Sequence, residues 1–163
     1  MEPDVTIIWE LVELQEPTWK DKISSAITGR EALEPAEDDE DLWRQQRVLY
    51  AYIDPEDNEI IYLGKAWSHS TWSRFIAEDK EKVWEECGLS PTDVDVIVGS
   101  IEMARGMRLT KEMLAVLEGL LIYRLEPECN KQSIYGGKSK EGLKVCCVGE
   151  WPYKTQQFID DRV

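Results

Sequence analysis

One acid stands alone in an apolar run. In MLAVLEGLLIY, residues 113–123, Glu118 is the sole charged side chain, and its helical neighbours at three and four residues are Leu114, Ala115, Leu121 and Ile122. A carboxylate among such residues loses hydration, at several kcal/mol if it is truly buried, unless a cation, a metal ion or hydrogen bonds compensate. Three readings stay open: the helix is exposed on that side, Glu118 pairs with a nearby Lys or Arg for structure, or it holds a cation that does chemistry.

A second group sits in VLYAYIDPEDNEIIYLGKA, residues 48–66. Strand alternation puts Tyr50 and Tyr52 on one face, and Tyr62 joins them if the turn sets that register. Such tyrosines pack across strands as ordinary aromatic pairs, or they act on protons. A phenol titrates near pH 10, so work as a base at neutral pH requires adjacent positive charge, for which Lys65 and Arg74 are the candidates. Arg74 lies roughly opposite the apolar face of its expected helix, where a solvated arginine sits, although near a helix start the same direction can overlook a cleft. Gly64 either ends a strand or admits a close approach. Asn130 reads as a turn or cap residue, or as an amide that orients a site. His69, the only histidine, reads as a loop or helix-cap side chain.

The elements that must position these groups follow from pattern. RVLYAYID and EIIYLGKA are β-branched and aromatic runs around PEDN, which predicts a hairpin. Ser70 or Ser68 caps a helix through about Cys87. VDVIVGSIEM is a strand, TKEMLAVLEGLLIYRLEP a helix capped by Thr110 and ended by Pro127, and GLKVCCVGEW a further strand. Upstream, DVTIIWELVEL is a strand or a short helix, TWKDKISSAITG a helix with Thr18 as N-cap and Gly29 as stop, and EALEPAEDDEDLW, residues 31–43, a solvated linker. The expected fold is α+β: a small three-stranded, largely antiparallel sheet flanked by helices. The expected domains are an acidic N-terminal extension and linker over 1–46, a central domain over 47–135, and a basic loop, possible strand and tail over 136–163.

The 163 residues carry a formal charge of −14, unevenly spread. Residues 1–47 hold 13 acidic and 5 basic side chains, a net of −8, whereas residues 101–140 hold 5 and 7, a net of +2. The total speaks against a polyanionic partner; the second segment allows one. No apolar run reaches the length of a membrane span, so a soluble, cytoplasmic protein without a membrane partner is expected. Cys87, Cys129, Cys146 and Cys147 form no CxxC pair and are expected as reduced, mostly buried thiols.

Taken together, these residues resemble the GIY-YIG nuclease family. VLY at 48–50 stands where that family has its Gly-Ile-Tyr element, and YLG at 62–64, followed by Lys65, where it has Tyr-Ile-Gly. Arg74 in WSRF resembles the arginine that opens the family's first helix, and LEGLLIYRLEPECN its closing segment of glutamate, proline and asparagine. The resemblance spans about residues 47–131 and implies a divergent member that hydrolyses phosphodiester bonds with one divalent metal. By that resemblance Glu118 holds Mg2+ or Mn2+, Tyr50 activates the attacking water with Tyr62 assisting, and Lys65 favours the phenolate or contacts phosphate. Arg74 then stabilises charge on the phosphoryl oxygens, and Asn130 supports the site by hydrogen bonding.

A nuclease must also hold its polyanion, DNA in the first instance. Arg105, Arg108 and Lys111 in MARGMRLTK form the best basic surface; Lys138 and Lys140 in YGGKSK extend it, and Gly64 lets backbone or ligand come close. The rival expectation is a non-catalytic, acidic interaction or nucleic-acid-mimicking module on a nuclease-like fold. A separate expectation is that the acidic N-terminal extension docks on a basic protein or shields the site until substrate displaces it.

Overall fold

The computed structural model describes residues 2–16, 33–77, 81–130 and 138–162. Six strands form one mixed sheet: β1 (Val5–Val12), β2 (Val48–Asp54), β3 (Glu59–Ala66), β4 (Asp95–Met103), β5 (Lys144–Gly149) and β6 (Gln157–Ile159), in the order β3-β2-β4-β1-β5-β6. All neighbours pair antiparallel except β1 and β5, which run parallel. The helices are α1 (Glu40–Trp43), α2 (Thr71–Phe75), α3 (Glu81–Cys87) and α4 (Lys111–Leu125), with short 3-10 turns at Glu37–Asp39 and Pro91–Asp93.

Every residue of β2 from Val48 to Ile53 is buried, which requires cover on both faces of the sheet. One face, with Leu49, Ala51 and Ile53, packs against Leu114, Leu117 and Leu121 of α4. The other, with Val48, Tyr50 and Tyr52, packs against Trp43, Trp72, Phe75 and Trp84. Ser70 caps α2 by accepting from the Ser73 amide at 3.1 Å, and Thr110 caps α4 by accepting from the Met113 amide at 3.1 Å. Glu126 adopts a left-handed φ of 48° that stops α4 one residue before Pro127.

Several expectations are corrected. The sheet is not a small three-stranded antiparallel one flanked by helices: the antiparallel block β3-β2-β4 continues through β1, β5 and β6. Residues 5–12, which the charge pattern assigned to an extension, form an interior strand between β4 and β5, with Val5, Ile7 and Trp9 wholly buried. The acidic run at its end is not merely solvated, because Trp43 is buried, donates from Nε1 to the Glu13 carbonyl at 2.8 Å and packs on Trp72 and Phe75. The helix expected through Cys87 is two helices, α2 and α3. Cys87 and Cys129 are joined in a disulfide with their Cα atoms 6.0 Å apart, while Cys146 and Cys147 are free thiols. The helix expected from Thr18 to Gly29 lies outside the described residues, as does the Tyr135–Gly137 part of the basic loop. No described helix is long and apolar enough to cross a membrane.

Candidate active site

β3 is an edge strand, and the candidate site lies along it. The hairpin register sets Tyr50 opposite Gly64 and Tyr52 opposite Tyr62. Tyr50, Tyr52 and Tyr62 therefore share one face, with ring centroids 5.2 to 6.3 Å apart. Gly64 is the bed of the Tyr50 ring: a Cβ built there would come within 2.9 Å of Cε2 and closer still to the hydroxyl. The missing side chain thus lets the Tyr50 phenol cross β3 to the sheet edge.

At that edge opens a cleft of about 330 Å³ whose walls include Tyr50, Tyr62, Gly64, Lys65, Trp67, His69, Arg74 and Glu118. β2 supplies Tyr50, β3 supplies Tyr62, Gly64 and Lys65, α2 supplies Arg74 and α4 supplies Glu118. Arg74 hydrogen-bonds the Tyr50 hydroxyl. Lys65 Nζ donates to Glu118 Oε1 at 3.2 Å, with the lysine 38% and the glutamate 18% exposed. The lone acid of the apolar helix thus has a lysine as its partner in this structure.

The chain matches no family model, no curated protein and no solved structure.

The cations expected to favour a Tyr50 phenolate do not prevail. Burial, helped by Tyr62, pushes the phenol well above its ordinary 10.0, and the charge and hydrogen bond of Arg74 pull it back by less. Tyr50 is a neutral phenol at pH 7.

Asn130 does not line the cleft. It is buried one step behind it, where Oδ1 accepts from the Leu63 amide and Nδ2 donates to the Leu63 carbonyl, both at 2.8 Å. The Cys129 amide donates to the Ile61 carbonyl at 2.8 Å, so residues 129 and 130 occupy the free edge of β3 and hold the backbone next to Gly64.

Arg105, Arg108 and Lys111 are exposed and lie outside the cleft wall. Strand directions place them well, however: Val48 at the start of β2 pairs with both Ala66 and Ser100, so the end of β3 and the end of β4 share one end of the sheet. The loop carrying Arg105 and Arg108 leaves from that end, where the cleft opens. Lys138 approaches Glu112 near the start of α4 at 3.9 Å, and the Lys140 amide donates to Asp160 Oδ2 at 2.7 Å. His69, expected as a loop or helix-cap side chain, and Trp67 belong to the cleft wall. Their signal was adjacency to the Gly64-Lys65 strand end.

Among the described residues no group of three or more His, Cys, Asp or Glu side chains is placed to hold a metal ion. Glu118 is the acid of the cleft wall.

Proposed function

We propose that this cleft hydrolyses phosphodiester bonds in nucleic acid, with DNA as the first substrate to test and a divalent cation as helper. The supporting observation is that Tyr50, Tyr62, Lys65, Arg74 and Glu118, scattered over 69 positions of sequence, converge from four elements on one cleft. A scaffold that merely packs has no need to gather two phenols, two cations and an acid at a sheet edge. The order of these residues and the hairpin that carries them support a divergent GIY-YIG nuclease; the six-stranded sheet around them differs from the fold expected on that basis.

The donor set fits Mg2+ or Mn2+. Magnesium characteristically takes one or two carboxylates, keeps several waters and completes its shell with substrate phosphate, so Glu118 alone suffices as the protein ligand. When bound, such an ion supplies Lewis-acid polarisation of the phosphate. Glu118 would hold it, which releases Lys65 to contact a phosphate oxygen. Arg74 offsets the negative charge that grows on the phosphoryl oxygens. Tyr50, neutral in the resting protein, accepts a hydrogen bond from the attacking water and orients it, and the share of its ionised form, the stronger base, grows as pH rises. Tyr62 lies beside it with a tilted ring 6.3 Å away, Gly64 makes room for it, and Asn130 fixes the strand beneath.

Incubation with supercoiled plasmid, linear duplex, branched DNA and RNA in Mg2+ or Mn2+ tests the reading. Metal-dependent cutting of at least one substrate, lost in Tyr50→Phe and Glu118→Ala, is expected. Cutting that survives in both variants, or none by the native chain, refutes it.

The acidic-module reading is favoured by a second cleft of about 400 Å³, whose walls include Glu34, Glu37 and Glu40 beside Arg44 and Trp72. Because β1 is interior, removing residues 1–46 would destroy the sheet; replacing Glu34, Glu37 and Glu40 by Gln is the cleaner test of shielding. Unchanged nucleic-acid affinity at low salt in that variant removes it.

A further inference from the structure

The cleft has a neighbour that the catalytic reading leaves unused. Arg47, immediately before β2, has a left-handed φ of 59°, a conformation that disfavours side chains other than glycine and asparagine and that tends to survive where surrounding structure or function fixes it. Its guanidinium carbon lies 4.9 Å from the ring centroid of Trp67, within cation–π range. Trp67 lines the cleft with Lys65, His69 and Arg74 and packs by part of its surface on the α4 face of the core, while Arg47 is exposed. The exposed loop with Arg105 and Arg108 leaves the same end of the sheet. In a chain of net charge −14, this end gathers cations around one accessible indole.

We infer that the Arg47–Trp67 pair is a platform for one unpaired nucleotide next to the phosphate in the cleft, so that the substrate class is single-stranded or branched nucleic acid rather than continuous duplex. The inference rests on the nuclease reading and narrows it. An indole or a stacked guanidinium accepts a base only by face-to-face contact, and a base offers its face only when it has left the duplex stack. Arg47 serves in either of two ways with the same result: its outer face continues the stack, or it swings to the adjoining phosphate and uncovers the indole. Arg105 and Arg108 then meet the flanking backbone, which positions the strand without reading its sequence.

The test is binding without turnover. Fluorescently labelled oligo-dT and a blunt duplex of equal length are titrated with the full chain in EDTA, at several salt concentrations, by anisotropy. The oligo-dT is expected to bind at least tenfold more tightly. Trp67→Leu should weaken oligo-dT binding about tenfold or more and leave duplex binding within twofold, in keeping with the stacking contribution of one base. Arg47→Gly, which suits the left-handed backbone and so preserves folding, should weaken it as well and lower the salt slope by about one single-strand phosphate contact, roughly 0.7. Arg47→Lys, which keeps the charge but loses the planar stack, should restore the slope with only part of the affinity. Thermal melts confirm that each variant folds, and Trp67→Tyr, which retains a stacking ring, stands in for Trp67→Leu if the latter does not. In that case near-native oligo-dT affinity in Trp67→Tyr, with the loss in Arg47→Gly, supports the platform. Equal affinity for the two probes, or oligo-dT binding unmoved in Arg47→Gly, overturns it. Plasmid cutting run in parallel shows which idea has failed: cutting without single-strand preference removes the platform alone, and neither cutting nor binding removes both.

Discussion

Gly64→Ala isolates the feature on which the cleft depends. In most strands that change is mildly stabilising, because glycine loses the most backbone freedom on folding, roughly 0.5 to 1 kcal/mol relative to alanine. Here the new methyl would overlap the Tyr50 phenol, coming within 2.9 Å of Cε2. The ring cannot simply retreat, because Tyr50 is 1% exposed and lies against Tyr52 and Tyr62. Overpacking of that kind costs about 1 to 3 kcal/mol, which outweighs the backbone gain. For a chain of 163 residues the net loss, about 0.5 to 2 kcal/mol, corresponds to a Tm lower by roughly 1 to 8 °C. The hydroxyl would also move relative to Arg74 and Glu118, and a displacement near 1 Å lowers turnover on the order of a hundredfold. Differential scanning fluorimetry and plasmid nicking read the two effects. The decisive control is Gly64→Ala in a Tyr50→Ala background, where the space left by the ring admits the methyl, so the second substitution should be neutral or stabilising. A single variant with native Tm and native nicking, or a double variant in which Gly64→Ala still destabilises by the same amount, would refute the argument.

Three other outcomes follow from the same structure. Burial holds the Tyr50 phenol well above 10.0, so a phenolate base predicts a nicking rate that climbs about tenfold per pH unit through pH 9 without a plateau, whereas Tyr50→Phe should remain without cutting at every pH. The Cys147 thiol is pushed up to about 12 by burial, from an ordinary 9.0, so folding favours its neutral form. Stability from that group, on the order of 4 kcal/mol, is complete below pH 9 and is lost as pH rises toward 12; urea midpoints at pH 8 and pH 11 should differ, and less so in Cys147→Ala. The Cys87–Cys129 bridge spans 42 positions, which the chain-entropy estimate converts to about 4 kcal/mol. Reductant should therefore lower Tm by several degrees, and leave the Cys87→Ser variant unaffected.

The parts of the structure legible in sequence were those with local signatures. The hairpin announced itself through alternation around PEDN, and the register followed, which brought Tyr50, Tyr52 and Tyr62 together. α4 was marked at both ends, by Thr110 and by Pro127. β1 was not legible in the same way: TIIWELV fits a strand or a helix, and nothing local says that its partner is a strand some 140 positions later. The acidic composition around it suggested solvation, yet charge patterning is blind to a single Trp43 that closes one face of the core. At the site, types and order identified the cleft residues, whereas the balance of burial against Arg74 at Tyr50 depends on packing that no spacing records. Asn130 was expected as a turn or cap residue or as an amide that orients the site, but its partner could not be read, since its pairing with Leu63 lies 67 positions away.

β1 sits between β4 and β5, and its parallel partner is made some 140 positions later in the chain. While the ribosome is still at work, the chain can zip β1 to β4 but must leave the other side of that ladder open until Lys144–Gly149 emerges. Such an unfinished border, bearing Ile7 and Trp9, is a template for a neighbouring nascent chain, so prematurely terminated copies are the species most prone to aggregate.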